Sequence, residues 1–412
     1  MHLLIVNQYG LPAGVPGITR HGDLGRELVR RGHRVTVIAS RFNYLTRDAG
    51  AGDAVEDRDG VTFRWLRTGS YTSNDRRRVR SMVDFTLRAT AAGLRLRPAP
   101  DVVIGSSPHL LAGAAALALS YRYRVPFLFE VRDLWPSVLV DLGAIRTGGL
   151  AHRALTGLEA MLYRGARHII TVPPHADDRV VEVGGDRAKC VHIPNATTLE
   201  TAAGSPLPAS LEAILSAEAG RFVVMYTGAH GVSNGLDTVI RAASHLRSND
   251  PDTYDRVAFV LVGGGTERER LMAAARAAGH EHLHFHPSIE KPAIPTALGR
   301  ADALLVNFAD APVYRYGLSP NKLFDYMAAG RPILLSTRLT DTAVDAHGTG
   351  MTFEPGSGAS LGDAIRSLAL RPQAELNAMG ECGRRAVLEH FTIEATATQL
   401  EQLLRDVVRR AS

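Results

Sequence analysis

Lys322 and Asp325 stand three residues apart in the segment Gly317-Leu318-Ser319-Pro320-Asn321-Lys322-Leu323-Phe324-Asp325-Tyr326-Met327-Ala328-Ala329-Gly330-Arg331-Pro332. Read as a helix capped by Ser319 with Pro320 at its first position, the segment gathers Asn321, Lys322 and free backbone N–H groups at a helix N-terminus, where a phosphate binds. Asp325, on the same side of the helix, offers a carboxylate to a pair of hydroxyls. One short helix could then recognise a diphosphate and a ribose. The plain alternative is a capped helix with an exposed Lys–Asp pair.

A second set of reactive groups ends an apolar run at Phe129-Glu130-Val131-Arg132-Asp133-Leu134-Trp135-Pro136. Two carboxylates and a guanidinium at the carboxyl end of a strand stand where open α/β sheets bind ligands. They read either as catalytic groups or as an ion pair that positions Trp135. His109, in Ser106-Ser107-Pro108-His109, ends another strand of the same sheet and reads either as a catalytic group or as a helix-start packing residue.

Glycines mark two further places. Gly10, Gly14 and Gly17 lie in a loop running from a strand to a helix, so backbone amides can approach an anion there, unless the loop is a mere turn. The spacing is neither GxGxxG nor a P-loop, which argues against a dinucleotide dehydrogenase and a P-loop NTPase. Gly263-Gly264-Gly265 is a weaker signal of the same kind, since a strand-to-helix turn would explain it. His282, His284 and His286 alternate along one strand, which spreads them over roughly 13 Å and leaves them too far apart to share one metal ion.

These groups need a scaffold, and the hydrophobic pattern supplies an α/β one. Strands are expected at 2–7, 34–39, 101–105, 126–131, 168–171 and 189–193, with helices at 20–31, 110–120 and 152–164 between them. Residues 196–220, rich in Ala, Ser and Pro, read as a linker with a short helix. The alternation then restarts, with strands at 222–227, 257–262, 282–286, 303–308, 332–336 and around 351–353, a helix at 236–246, and a final helix at 393–410. Two Rossmann-like, doubly wound domains in tandem follow, with a cleft between the carboxyl ends of their sheets as the default site.

The composition narrows the class. Of 412 residues, 45% are apolar and 22% charged, which excludes a disordered or disulfide-stapled chain. Two cysteines without CxxC spacing build neither a disulfide framework nor a thiolate zinc site, so a reducing cytoplasm is the expected compartment. Leu3–Val6 is too short for a signal-peptide core, and Leu110–Leu119 is roughly half of a bilayer span. The net charge of +5 divides into +9 over the first 199 residues and −4 over the rest. Arginines are densest over Arg64–Arg97, interleaved with apolar residues at helical spacing; an anionic lipid surface and a solvated helix face explain that equally well. No nucleic-acid-binding motif is present.

Taken together in order and spacing, the N-terminal glycine loop, Tyr71–Phe85 with Asn74, EVRDLWP, HIPN, YTGAHGVSNGLDTV, VLVGGG-TERERL and SPNKLFDYMAAGRPI resemble the retaining glycosyltransferases of family 4, of GT-B fold. The likeness spans essentially the whole chain and is nearest to capsule and O-antigen types related to the bacterial fucosamine transferases. It implies an acceptor-binding domain over 1–195, a linker over 196–220, a nucleotide-sugar-binding domain over 221–391, and a helix over 392–412 crossing back to the first domain.

The resemblance also implies roles. Gly14 and Gly17 would face the donor diphosphate, Lys322 would neutralise it, and Asp325 would hold the ribose hydroxyls. Gly228, Asn234, Gly264, Arg315, Ser319, Asn321 and Leu323 complete the expected donor-binding set; Glu130, Asp133, Arg132 and His109 form the catalytic one. Glu130 and Asp133 would orient or deprotonate the acceptor, with no metal or other cofactor expected. Two features depart from the family pattern: its usual Arg and Lys are Ala229 and Asn234 here, and its paired glutamates are Gly317 and Asp325. More phosphate neutralisation then falls on Lys322, with Arg315 or Arg132 as helpers. The implied reaction moves a sugar, expected to be UDP-linked, to a polyprenyl-linked or cell-surface glycan, with cytoplasmic enzyme at the inner membrane face. Alternatives are a soluble natural-product acceptor, a non-catalytic degenerate partner, and a UDP-sugar 2-epimerase.

Overall fold

The computed structural model describes residues 1–15, 17–43, 52–71, 76–141, 143–198 and 205–410. Asn74 and part of the linker, singled out from the sequence, lie outside them. The chain forms two compact units: Met1–Asn195 with Tyr316–Ser319 and the chain from Ile393 on, and Ala196–Arg315 with Pro320–Thr392.

The first unit is built on an eight-stranded sheet. Its strands are β1 (His2–Val6), β2 (Arg34–Ser40), β3 (Ala54–Arg58), β4 (Val61–Leu66), β5 (Val102–Ser106), β6 (Phe127–Val131), β7 (His168–Thr171) and β8 (Cys190–His192), in spatial order β3-β4-β2-β1-β5-β6-β7-β8. β1, β5 and β6 are buried at every position, because helices cover both faces of a parallel sheet. Among those helices are α1 (Arg20–Arg30), α2 (Arg76–Leu94) and α3 (Leu110–Tyr123).

Sequence reading missed β3 and β4. β3 is the antiparallel edge of the sheet, and its residues AVEDR are half-exposed or exposed, so it lacks the apolar run that marks the inner strands. The basic residue Arg64 sits within β4, which pairs with β2 from Thr36↔Thr62 to Ser40↔Leu66. The C-terminal helix Ile393–Arg409 packs on α1 in this unit, where Glu401 takes Arg31 at 3.2 Å and His33 at 2.9 Å.

The second unit carries six parallel strands: β9 (Phe222–Thr227), β10 (Val257–Val262), β11 (Leu283–His286), β12 (Ala303–Val306), β13 (Ile333–Ser336) and β14 (Gly350–Phe353). Their spatial order is β11-β10-β9-β12-β13-β14. The stretch read as linker enters this core: helix Ala209–Ala217 buries Leu211 and Leu215 against Val223, Met225 and Val260. In both sheets the direction of winding reverses beside the first strand of the unit, between β1 and β5 and between β9 and β12. Ligand-binding loops of doubly wound sheets occur at such reversals.

Candidate functional site

In the second unit the loop after β9 and the loop after β10 are pressed together by their glycines. A Cβ on Gly263, at φ +152°, would lie 1.8 Å from the Gly228 carbonyl oxygen, and one on Gly265, at φ +151°, 2.4 Å from that of His230. Such backbone conformations favour glycine, and the contacts admit nothing larger. The His230 amide donates to the Gly264 carbonyl at 2.7 Å, and the Glu267 amide returns to the His230 carbonyl at 2.9 Å. Asn307, at the end of β12, donates its side-chain amide to the carbonyls of Asn234 and Gly235 at 2.7 and 2.9 Å. The loop residues Gly228 and Asn234 are thus fixed from two neighbouring strands.

Lys322 reaches this loop from the helix Asn321–Ala329. Its Nζ donates to the Tyr226 hydroxyl at 2.9 Å and lies 4.2 Å from the centre of that ring. The Tyr226 hydroxyl in turn donates to the Ala229 carbonyl at 2.7 Å. A Cβ on Gly228, at φ +145°, would stand 2.8 Å from Nζ, so glycine is what lets the ammonium lie along the loop. Burial lowers the Lys322 pKa to about 7, with no carboxylate among the described residues opposing it. A half-buried ammonium held by a phenol and a π-face, at the start of a helix, suits an anion.

Asp325 sits one turn further on, exposed, with one carboxylate oxygen accepting from the Thr197 hydroxyl at 2.6 Å. Asn321 is exposed at the first helical position. Two expectations for this segment need correction. Ser319 does not cap the helix: Pro320 stands at the cap without a side-chain bond, and the Ser319 hydroxyl accepts from the Asn195 amide at 3.1 Å. Leu323 is 2% exposed in the core and its amide donates to the Pro320 carbonyl, so neither its side chain nor its N–H is presented to a ligand. Arg315 is exposed on the short helical turn Pro312–Tyr316.

Gly317 stands where the resemblance leads one to expect a glutamate. At φ +90°, a Cβ there would lie 2.4 Å from the Pro174 side chain, so the position has no room for a side chain of that size.

In the first unit, Gly14 and Gly17 have φ of +82° and +132° in the loop after β1, and nothing lies within 4 Å of a Cβ on Gly14. Ser107, at the end of β5, accepts the amides of Arg132 and Asp133 at 2.8 and 3.2 Å, which fixes where both side chains start. Asp133 is exposed. The protein packed around its carboxyl raises its pKa, with Arg132 and Arg78 opposing that.

Glu130 is not available as a base. It is 3% exposed, and its oxygens accept from Arg20 Nε at 2.9 Å, His21 Nε2 at 2.7 Å and Ser106 Oγ at 2.6 Å. Burial opposes its ionisation, yet Arg20, His21 and Arg132 hold the carboxyl well below the ordinary range. The Arg20 guanidinium goes on to the carbonyls of Ile193 and Pro194, next to Asn195. Glu130 is therefore an internal anchor tying strand ends together. His109 also serves the scaffold: it is 1% exposed, and its Nδ1 accepts the Ala112 amide at the start of α3. Burial and Arg78 bring its pKa down to about 3, so it stays neutral.

The histidines 282–286 are tied to separate partners. His282 and His284 reach Glu218 at 3.2 and 2.7 Å, while His286 bonds the Ser210 hydroxyl at 2.8 Å. Among the described residues no group of three or more His, Cys, Asp or Glu could hold a metal ion. No helix of the described residues is long and apolar enough to cross a membrane.

Reading the sequence missed Tyr226, His230 and Asn307. His230 is fully buried against the Tyr226 and Phe285 rings, and its pKa is lowered to about 4, first by burial and then by Arg268 and Lys322. A histidine between glycines in Gly228-Ala229-His230-Gly231 was the available signal. Tyr226 looks like any strand residue, and only the fold brings it to Lys322.

Residues 17–196 match the family described as a glycosyl transferase 4-like domain, and residues 221–370 the glycosyl transferases group 1. WcaI of Escherichia coli (strain K12), named as a glycosyl transferase of colanic acid biosynthesis, is 23% identical over 85% of this chain and 88% of its own. Among solved structures, a sucrose-phosphate synthase from Thermosynechococcus elongatus is similar over 100% of both chains, with a TM-score of 0.77 and 18% identity. Anabaena HepE in complex with UDP-glucose is similar over 98% of this chain and 100% of its own, with a TM-score of 0.64 and 14% identity.

Proposed function

Because this chain belongs to family 4 of the glycosyltransferases, retaining GT-B enzymes that use nucleotide sugars, we propose that it moves a hexosyl unit from a UDP-sugar to a hydroxyl of a lipid-linked or cell-surface glycan. One observation carries the donor assignment: the Lys322 ammonium lies against Gly228 at a helix start, held by Tyr226 and met by no carboxylate among the described residues. A diphosphate supplies the charge that this arrangement lacks. Asp325, whose Oδ1 accepts from the Thr197 hydroxyl, is the carboxylate that this reading assigns to the ribose diol. The UDP-glucose complex of HepE supports uracil as the base, and the name of WcaI supports a polysaccharide acceptor.

The chemistry follows from these charges. As the anomeric C–O bond breaks, the sugar gains oxocarbenium character and the departing diphosphate gains negative charge. Lys322 and the first-turn amides of its helix stabilise that charge in place. Asp133, exposed just past the end of β6, suits the acceptor hydroxyl better than Glu130, whose oxygens are occupied. In this reading the acceptor attacks on the face that the diphosphate leaves, and the departing phosphate takes up the acceptor's proton. Arg315 is a further cation for the phosphates.

A panel of UDP-, GDP- and dTDP-sugars, offered with polyprenyl-pyrophosphate-linked sugars as acceptors, tests this reading. A product whose anomeric proton coupling in NMR matches the donor's supports it. An inverted product, or turnover of a UDP-sugar to its 2-epimer without acceptor, overturns it.

A further inference from the structure

Resting on the donor reading above, we propose that Arg268 is a second cation for the donor diphosphate, supplied by the loop after β10 in place of the loop after β9. The resemblance leads one to expect two cations after β9, and Ala229 and Asn234 stand there instead. Lys322 alone leaves a diphosphate only part-neutralised.

The loop after β10 has the means to supply the rest. Gly263-Gly264-Gly265 runs through Thr266 and Glu267 into the helix Arg268–Ala277, so Arg268 opens that helix. Glu267 stands at the cap without a side-chain bond to it, its carboxylate taken by Arg270 at 2.7 Å. The amides of Gly264, Gly265 and Thr266 donate to no described residue. Consecutive open amides at a helix start form a cradle for an anion. A guanidinium at the first helical position faces the positive end of the helix dipole, an unfavourable place unless an anion joins it. Arg268 is half-buried, and its Nε is buried with no hydrogen-bond partner among the described residues. Its carboxylate neighbour is Glu269 at 3.0 Å, whose side chain is 83% exposed; water screens that pair, so a phosphate can displace it.

His230 ties this cradle to Lys322. Its backbone bonds Gly264 and Glu267, and its ring is fully buried against Tyr226, the phenol that holds the lysine. A Cβ on Gly263 would stand 3.3 Å from the ring Nε2, so that edge of the imidazole points at the glycine loop. Neither ring nitrogen has a hydrogen-bond partner among the described residues. The charges that act on the ring are Arg268 and Lys322, and both lower its pKa, with no carboxylate among the described residues to offset them. Two cations that converge on one buried neutral ring repel each other, and a diphosphate bound by both turns that repulsion into attraction.

Calorimetric titration of the full chain with UDP and with uridine tests it. Arg268→Ala is expected to weaken UDP on the order of tenfold and uridine by less than about twofold. Its melting temperature should hold or rise, because the variant takes an unfavourable charge off a helix start. Lost UDP affinity without lost stability is a signature that a merely structural arginine would not give. Arg268→Lys should lose about threefold, since it keeps a charge but not the planar fork. Moving the cation back, in Ala229→Arg/Arg268→Ala, should recover most of the loss, because Ala229 is exposed. An Arg268→Ala variant that binds UDP like the wild type, or loses uridine equally, would overturn the assignment. Lys322→Ala, titrated alongside, separates the two readings. If it weakens UDP while Arg268→Ala does not, the assignment of Arg268 alone fails; if neither variant changes UDP binding, or the wild type binds none, the donor reading fails with it.

Discussion

The Lys322 ammonium donates to the Tyr226 hydroxyl at 2.9 Å while lying 4.2 Å from the centre of the same ring, so one residue of β9 holds the cation by both an oxygen and a π-face. Tyr226 passes its own proton to the Ala229 carbonyl. The phenol and the lysine thus fix the glycine loop and the cation to each other. Replacing Tyr226 with Phe keeps the ring and loses the hydroxyl bonds. UDP affinity is expected to fall by roughly threefold to tenfold, and by more in Tyr226→Ala, as measured by calorimetric titration.

The pH dependence of donor binding follows from the same lysine. With its pKa lowered to about 7, Lys322 is largely neutral in the free protein at pH 8, and a diphosphate must recharge it. Binding then takes up a proton, and affinity falls by up to tenfold per pH unit above about 7, while below it the affinity is flat. Titration of UDP-glucose in buffers of different ionisation enthalpy measures the proton count directly. Lys322→Arg should bind without that dependence, because a guanidinium stays charged.

Glu130 and Asp133 should separate cleanly on substitution. Glu130→Gln disrupts a buried knot with Arg20 and His21, and about 3–5 kcal/mol of stability should be lost. Because the folded pKa of Glu130 lies below its unfolded value, the stabilisation is present above about pH 4 and lost as pH falls through the folded pKa. Asp133→Asn is expected to leave melting unchanged and to lower kcat on the order of a hundredfold. Thermal melts beside initial rates decide it.

Restoring the family's glutamate at Gly317 should fail. The side chain would start 2.4 Å from Pro174 at φ +90°, and Gly317→Glu is expected to cost about 2 kcal/mol or more in a denaturant melt, with no gain in activity. A more active variant would show that this glycine is a simple loss.

Much of this was readable from residue order. Inner strands such as β9 and β10 are apolar runs, and both were located from the sequence to the residue, because burial on two faces leaves no polar positions to blur them. The edge strand β3 lacks that signature, and it was missed. Lys322 and Asp325 were legible as residues of one helix, because their spacing along it is local. Tyr226 and Asn307 were not, since their roles depend on contacts 96 and 73 residues away in the chain. Glu130 was misread because a carboxylate at a strand end shows its type but not its partners, and Arg20 lies 110 residues distant. Ser319 satisfied every rule for a cap and was drawn instead to Asn195 by tertiary packing.

The central claim is that Lys322 is the cation for the donor diphosphate, and the most direct measurement compares the affinity of UDP with that of uridine in the wild type and in Lys322→Ala. The account predicts that UDP binding weakens on the order of a hundredfold or more in the variant while uridine binding changes by less than about threefold. Equal loss of both would point to collapse of the loop, and unchanged UDP binding would place the diphosphate elsewhere; either result contradicts it.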